Sequence, residues 1–266
     1  MNPMPPSPKS TVAPRDQSAL LFGATRYSAI KLLVALGLLF VSAPFVQDLP
    51  QGDLVESALL TLVMVSAVLA VGGRRKALII ALVLLTPALA GKWINHFRPD
   101  LLHPAIFLAS AVAFFAFVVS RLLAFVVRAP RVDANVLCAG VAGFLMVALL
   151  WVPAYAAVAR LNPHAFTLPA APDAPATLDG FSALYFSVIT LCTVGYGDIA
   201  PVSKVARMLA MMEAVTGLFY MAVLISRLVS LHSSSQPAAD SGQKIYNREP
   251  NELDANGRPP LSSGKD

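Results

Sequence analysis

Six apolar runs of bilayer-spanning length constrain this chain of 266 residues more than any other feature. About 20 residues of α-helix cross the hydrocarbon core of a membrane. The runs fall near residues 28–46, 54–71, 76–91, 101–120, 134–159 and 203–231. Lipid offers no partner for backbone N–H and C=O groups, so each run is read as a helix that bonds within itself. The expected fold class is therefore an all-α membrane protein with six transmembrane helices. The third run is short for a full crossing and its limits are the loosest. Charge content agrees with this reading: 13% of residues are charged, where a soluble domain carries about 25%. Such a surface excludes a water-soluble enzyme and a free nucleic-acid-binding factor.

The first run resembles a cleaved leader in its basic flank and in the small residues Val41 and Ala43. Pro44 follows the only plausible cleavage site, and a long polar stretch precedes the apolar core. A retained helix is expected. With the N-terminus placed inside, fifteen of the twenty basic residues fall in inner segments and five in outer ones. The net charge of +5 is then an orientation signal rather than a footprint for an acidic partner. Both termini are expected on the cytoplasmic side, with the chain in a plasma membrane. The organisation expected is a disordered tail over 1–27, a four-helix membrane domain over 28–131, a second membrane domain over 132–232 and a disordered tail over 233–266. Proline and polar residues dominate both tails. The proline-rich outer loop 160–180 reads as an extended turret. Cys138 and Cys192 sit in apolar runs and imply no disulfide or metal cluster.

One segment carries chemistry: Asp179 to Pro201, DGFSALYFSVITLCTVGYGDIAP. A short amphipathic helix is expected from about Phe181 to Cys192, too short to span, with Asp179 or Thr177 able to cap it. It leads into Thr193-Val194-Gly195-Tyr196-Gly197-Asp198. Glycine reaches positive φ without steric cost. A strand alternating glycine with other residues can turn its carbonyls to one side, which an ordinary strand cannot. Non-helical backbone at membrane depth survives only where it is buried or lines a wet cavity. A row of carbonyls around a narrow axis replaces the hydration shell of a cation, and the Thr193 hydroxyl adds one more oxygen.

These residues resemble the potassium channel family, whose filter sequence is TVGYG. The likeness extends to Thr190 and Thr193 in a TxxTxGYG pattern, to Ala183–Ser187 as a pore helix, and to Asp198 after the filter. Gly217 lies 22 residues beyond Gly195, where the family's inner-helix hinge glycine falls. The resemblance covers roughly residues 134–231. It implies a re-entrant pore helix and filter loop in a homotetrameric pore, since one chain supplies a single filter strand. It further implies K+ sites at the carbonyls of Thr193, Val194, Gly195 and Tyr196, followed by Gly197. Asp198, Thr190, Tyr185 and Phe186 would support that filter, with Tyr196, Tyr185 and Phe186 bracing it from behind.

Some positions depart from the pattern or stay open. Certain family members carry a pore-helix glutamate that pairs with the aspartate after the filter; Ile189 stands there, so Asp198 is expected to lack that partner. Cys192 is read as a small buried residue. Glu213 and Gly217 are candidate gating or cavity residues. Glu213 either faces the cavity or hydrogen-bonds behind the filter near Thr190; Gly217 is either a hinge or a close helix contact. Residues 101–120 contain no arginine, and Arg121, Arg128 and Arg131 cluster at the inner end. Little voltage dependence is expected, because gating energy scales with charge moved through the field. Residues 232–266 offer no ligand-sensing domain. The expected function is a potassium-selective channel of bacterial inner-membrane type with no cofactor, no nucleic-acid partner and no identifiable soluble ligand. The alternatives are a less selective cation channel or a non-conducting auxiliary membrane subunit. No nucleophile–base pair supports an enzyme.

Overall fold

A computed structural model describes residues 17–46, 49–71, 75–97, 104–130, 133–168, 178 and 180–234. Its long helices are α1 (Gln17–Val46), α2 (Gly52–Val71), α3 (Arg75–Phe97), α4 (Pro104–Arg128), α5 (Ala134–Leu161) and α7 (Lys204–Ser234). A shorter helix, α6 (Gly180–Leu191), lies between α5 and α7 in the chain. Six helices are long and apolar enough to cross a membrane, as the apolar runs require. This is an all-α multi-pass membrane protein. Helix α1 begins at Gln17, so residues 17–27 of the expected N-terminal tail are helical, and α7 takes in the first two residues of the expected C-terminal one. The rest of both tails, the capping residues Thr177 and Asp179, the turret prolines 169–175, and basic residues such as Arg74, Arg98 and Arg131 lie outside the described residues.

The spanning helices are apolar on nearly every side, so a narrow stripe decides which face meets protein. On α1 the buried residues Ala29, Leu32, Leu36, Leu39 and Ala43 recur at three- and four-residue steps. Ile30, Val34, Leu38, Val41 and Phe45 leave the opposite face apolar and open to lipid. One hydrophobic core runs from α1 to α7 without a break, so the first four helices and the later ones share it. Helix α4 packs on α3 and α5, α1 on α2 and α5, and α6 is wedged between α5 and α7. The connection after α4 is short, and the Asp133 carboxylate caps α5 by accepting from the Val136 N–H at 2.9 Å. A connection this short turns α5 back along α4, and α1 packs on the same α5.

Besides the earlier start of α1, two helix limits differ from the apolar-run reading for identifiable reasons. Helix α3 continues to Phe97, because its first polar residues find partners on α2: Lys92 Nζ lies 3.4 Å from Glu56 Oε1, and Trp93 Nε1 donates to Thr61 Oγ1 at 3.3 Å. Helix α4 runs past residue 120 to Arg128, since the apolar sequence resumes at once after Arg121. Arg121 and Arg128 are therefore inside α4, seven residues apart, rather than beyond its end. At the other side of the molecule the loop after α5 is anchored rather than free over its described part. Strand β1 (Phe166–Thr167) pairs antiparallel with β2 (Ala200–Pro201), placing Phe166 opposite Pro201.

Candidate functional site

Helix α6 spans twelve residues and cannot cross a bilayer. Its buried face comprises Ala183, Leu184, Phe186, Ser187, Ile189 and Leu191. The chain leaves it through a tight turn in which the amides of the expected filter strand bond back to the helix's last carbonyls. Thr193 N–H donates to Thr190 O at 3.0 Å, Val194 N–H to Ile189 O at 2.8 Å, and Gly195 N–H to the same oxygen at 3.3 Å. Positive φ then recurs at every second residue: +57° at Thr193, +54° at Gly195 and +83° at Gly197. Glycine supplies two of these conformations freely; Thr193 is an L-residue held in one that costs it roughly 1–2 kcal/mol. The amides of Thr193, Val194 and Gly195 are thereby drawn toward α6.

Residues Thr193 to Asp198 are exposed on the single chain, with Val194 51% and Tyr196 73% accessible. Tyr196 therefore does not brace the strand from behind within its own protomer. Phe186 is buried, but against Tyr155 and Phe166, at ring-centroid distances of 4.9 and 5.5 Å. It fixes α6 to α5 and β1 rather than to the strand Thr193–Asp198. Cys192, read as buried, is exposed.

Asp198 has a partner after all. The Tyr185 hydroxyl donates to its Oδ2 at 2.8 Å. Tyr185 lies one helical turn before Ile189, hence on the same face, and its longer side chain reaches the carboxylate. That hydrogen bond holds the Asp198 carboxyl below its ordinary range.

Behind α6 the arrangement is closed. Glu213 of α7 has no accessible surface even in one chain, which leaves no carboxyl surface to face an aqueous cavity. Its two oxygens meet the Tyr155 hydroxyl of α5 and the Ser187 hydroxyl of α6, the latter at 2.5 Å. Ser187 Oγ also lies 2.8 Å from Ala148 O. The partner on the pore helix is thus Ser187, one turn before Thr190. Gly217 is buried one turn further along α7, and a Cβ there would overlap the Leu191 carbonyl at the end of α6. Helix α7 is unbroken through it. Nearer its C-terminal end, the Tyr220 hydroxyl donates to Gly140 O at 2.8 Å and Arg227 Nη2 to Ala129 O at 2.7 Å.

Sequence reasoning missed Tyr155, Ser187 and Phe166. A hydroxyl midway along an apolar pore helix and a tyrosine deep in the fifth span were the available signals, since buried polar groups need partners. The pairing of Phe166 with Pro201 left no local signal.

Residues 136–233 match the ion channel family model. Two pore potassium channel c of Oryza sativa subsp. japonica is 38% identical over 68 residues, 26% of this chain and 14% of that protein. Calcium-gated potassium channel TvoK of Thermoplasma volcanium is 40% identical over 48 residues, 18% of this chain and 14% of that protein. Protein LctB of Bacillus caldotenax is 37% identical over 76 residues, 27% of this chain and 54% of that protein. The matched segments span less than two thirds of these relatives' lengths. No solved structure matches.

Proposed function

From the match of residues 136–233 to the ion channel family model, we propose that the chain is a potassium-selective channel to which each of four copies contributes one filter strand. The observation that carries this reading is positive φ at Thr193, Gly195 and Gly197, with the amides of Thr193, Val194 and Gly195 tied to Thr190 and Ile189. The carbonyls of Thr193, Val194, Gly195 and Tyr196, joined by the Thr193 hydroxyl, form successive K+ sites; Gly197 and Asp198 close the outer end. Carbonyl dipoles replace the water a potassium ion sheds on entry. The partly negative C-terminal end of α6 adds a field favourable to a cation.

A single chain leaves this site incomplete. Its filter strand is exposed, and α7 buries only a narrow stripe through Ala206, Glu213, Gly217, Tyr220 and Leu224. The remaining faces of α7, with Met208, Met212, Leu218 and Phe219, are apolar and open. Copies packed around one axis cover both features at once. The front four-helix domain contributes little gating charge, because α4 carries only Arg121 and Arg128. Conduction responds weakly to voltage, and both termini lie on the cytoplasmic side of a plasma membrane.

Purified protein in liposomes tests the reading. A potassium gradient should drive flux with a reversal potential that follows potassium and not sodium. Equal permeability to both ions would replace it with a less selective channel, and absence of flux would leave an auxiliary subunit. A steep dependence on membrane potential would overturn the weak voltage response.

A further inference from the structure

With Glu213 ionised, its surroundings hold three oxygen–oxygen contacts but only two hydroxyl hydrogens, those of Tyr155 and Ser187. Ser187 owns one hydroxyl hydrogen, yet its oxygen has two oxygens within bonding distance: Ala148 O at 2.8 Å and a Glu213 carboxyl oxygen at 2.5 Å. If the Ser187 hydrogen goes to Ala148, the contact with Glu213 pairs two oxygens with no hydrogen between them. If it goes to Glu213, a full negative charge stays buried with only hydroxyls for company. The groups facing it are Ala148 O and Tyr155 from α5 and Ser187 from α6. The ion pair among the described residues, Lys92–Glu56, joins two other helices. A buried charge without a counter-ion is among the costliest arrangements a protein can hold.

One added proton removes both difficulties. A protonated Glu213 donates to Ser187 Oγ, Ser187 donates to Ala148 O, and Tyr155 donates to the other Glu213 oxygen. Every hydrogen then has one acceptor and every oxygen in the chain of contacts has a partner. We propose that Glu213 is held as a neutral carboxylic acid, a positioning residue whose proton completes a relay of hydrogen bonds from α7 through the pore helix to α5. The relay fixes the pore helix at Ser187, one turn before the carbonyls that anchor the filter amides. Being neutral, it adds no charge to the ions' path. Its consequence for conduction rests on the channel reading above; the proton assignment rests on the hydrogen count alone.

The two parts are separable by experiment. Infrared difference spectra of the full-length protein in lipid at neutral pH, wild type against Glu213→Gln, should show a protonated-carboxyl C=O band that disappears in the variant. A carboxylate band disappearing in its place overturns the assignment. Ser187→Ala should keep the acid band but move it to higher frequency, as its acceptor is lost; an unmoved band overturns the relay. For conduction, Glu213→Gln keeps a donor for Ser187 and an acceptor for Tyr155, and potassium flux should stay within about twofold of wild type, as for a near-isosteric core change. Glu213→Leu leaves the Ser187 and Tyr155 partners unsatisfied and should lower flux roughly tenfold or more. Equal loss in Gln and Leu variants would overturn the positioning role. A wild type without flux would defeat the channel reading and leave the spectra to decide the proton.

Discussion

The two sides of α6 present opposite solutions to the same problem of polar groups in an apolar setting. Toward the candidate conduction axis, Thr193 to Asp198 leave backbone and side chains exposed on the single chain. Away from it, Glu213, Ser187 and Tyr155 satisfy one another with no accessible surface on Ser187, Glu213 or Tyr155. Open polar backbone is tolerated at membrane depth only where another chain or trapped water meets it. On the proposed channel reading the exposed side awaits completion by copies, whereas the rear side is complete within each chain. Substitutions on the first should change what passes; substitutions on the second should change how firmly the filter is held.

The sharpest break of this contrast is Gly195→Asp. A side chain at φ +54° is strained even though the space beside it is open on the single chain. Potassium flux should fall to that of empty liposomes while helical content by circular dichroism is unchanged. Loss of helix together with flux would show that the filter strand also serves folding, and the contrast would dissolve.

On the rear side, Phe166→Ala should be the most damaging. Phe166 is buried between Tyr155 and Phe186, so its removal opens a cavity worth about 3–5 kcal/mol. A lowered melting temperature in detergent, with ion selectivity retained in the surviving protein, is the expected result. Gly217→Val comes next. Its side chain meets the Leu191 carbonyl, a backbone atom that cannot step aside, and overpacking of this kind costs about 1–3 kcal/mol. Unchanged melting with altered open probability would favour a hinge over a close contact.

The smallest effect belongs to Tyr185→Phe, which removes the hydrogen bond to Asp198. The native carboxyl titrates below its ordinary range. Its contribution is thus full above the ordinary carboxylate range and is lost as pH falls through the lowered value. Outward-facing acidification should weaken sustained potassium flux, and in the phenylalanine variant that weakening should begin at higher pH. Identical pH profiles would remove Tyr185 from the support of the filter's outer end.

Much of this molecule is legible in its sequence because the rules involved are local. Twenty apolar residues need a helix wherever they sit, and alternating glycines permit a strand of aligned carbonyls whatever surrounds them. The limits of α3 and α4 were less legible, since Lys92, Trp93 and Arg121 look like ends until partners or resumed apolar sequence appear. Asp198 looked partnerless while only Ile189 was considered; the tyrosine one turn away was within reach.

By itself, then, the sequence determined the six spanning helices, the short helix between the last two and the backbone freedom of Thr193 to Gly197. Only the tertiary structure decided what stands behind that strand. Tyr155, Ser187 and Glu213 are separated by 58 and 26 positions along the chain, and nothing local marks them as neighbours. Spanning helices are apolar almost all round, so pattern alone does not say which face turns inward; packing of α5, α6 and α7 makes that choice and places one carboxyl between two hydroxyls.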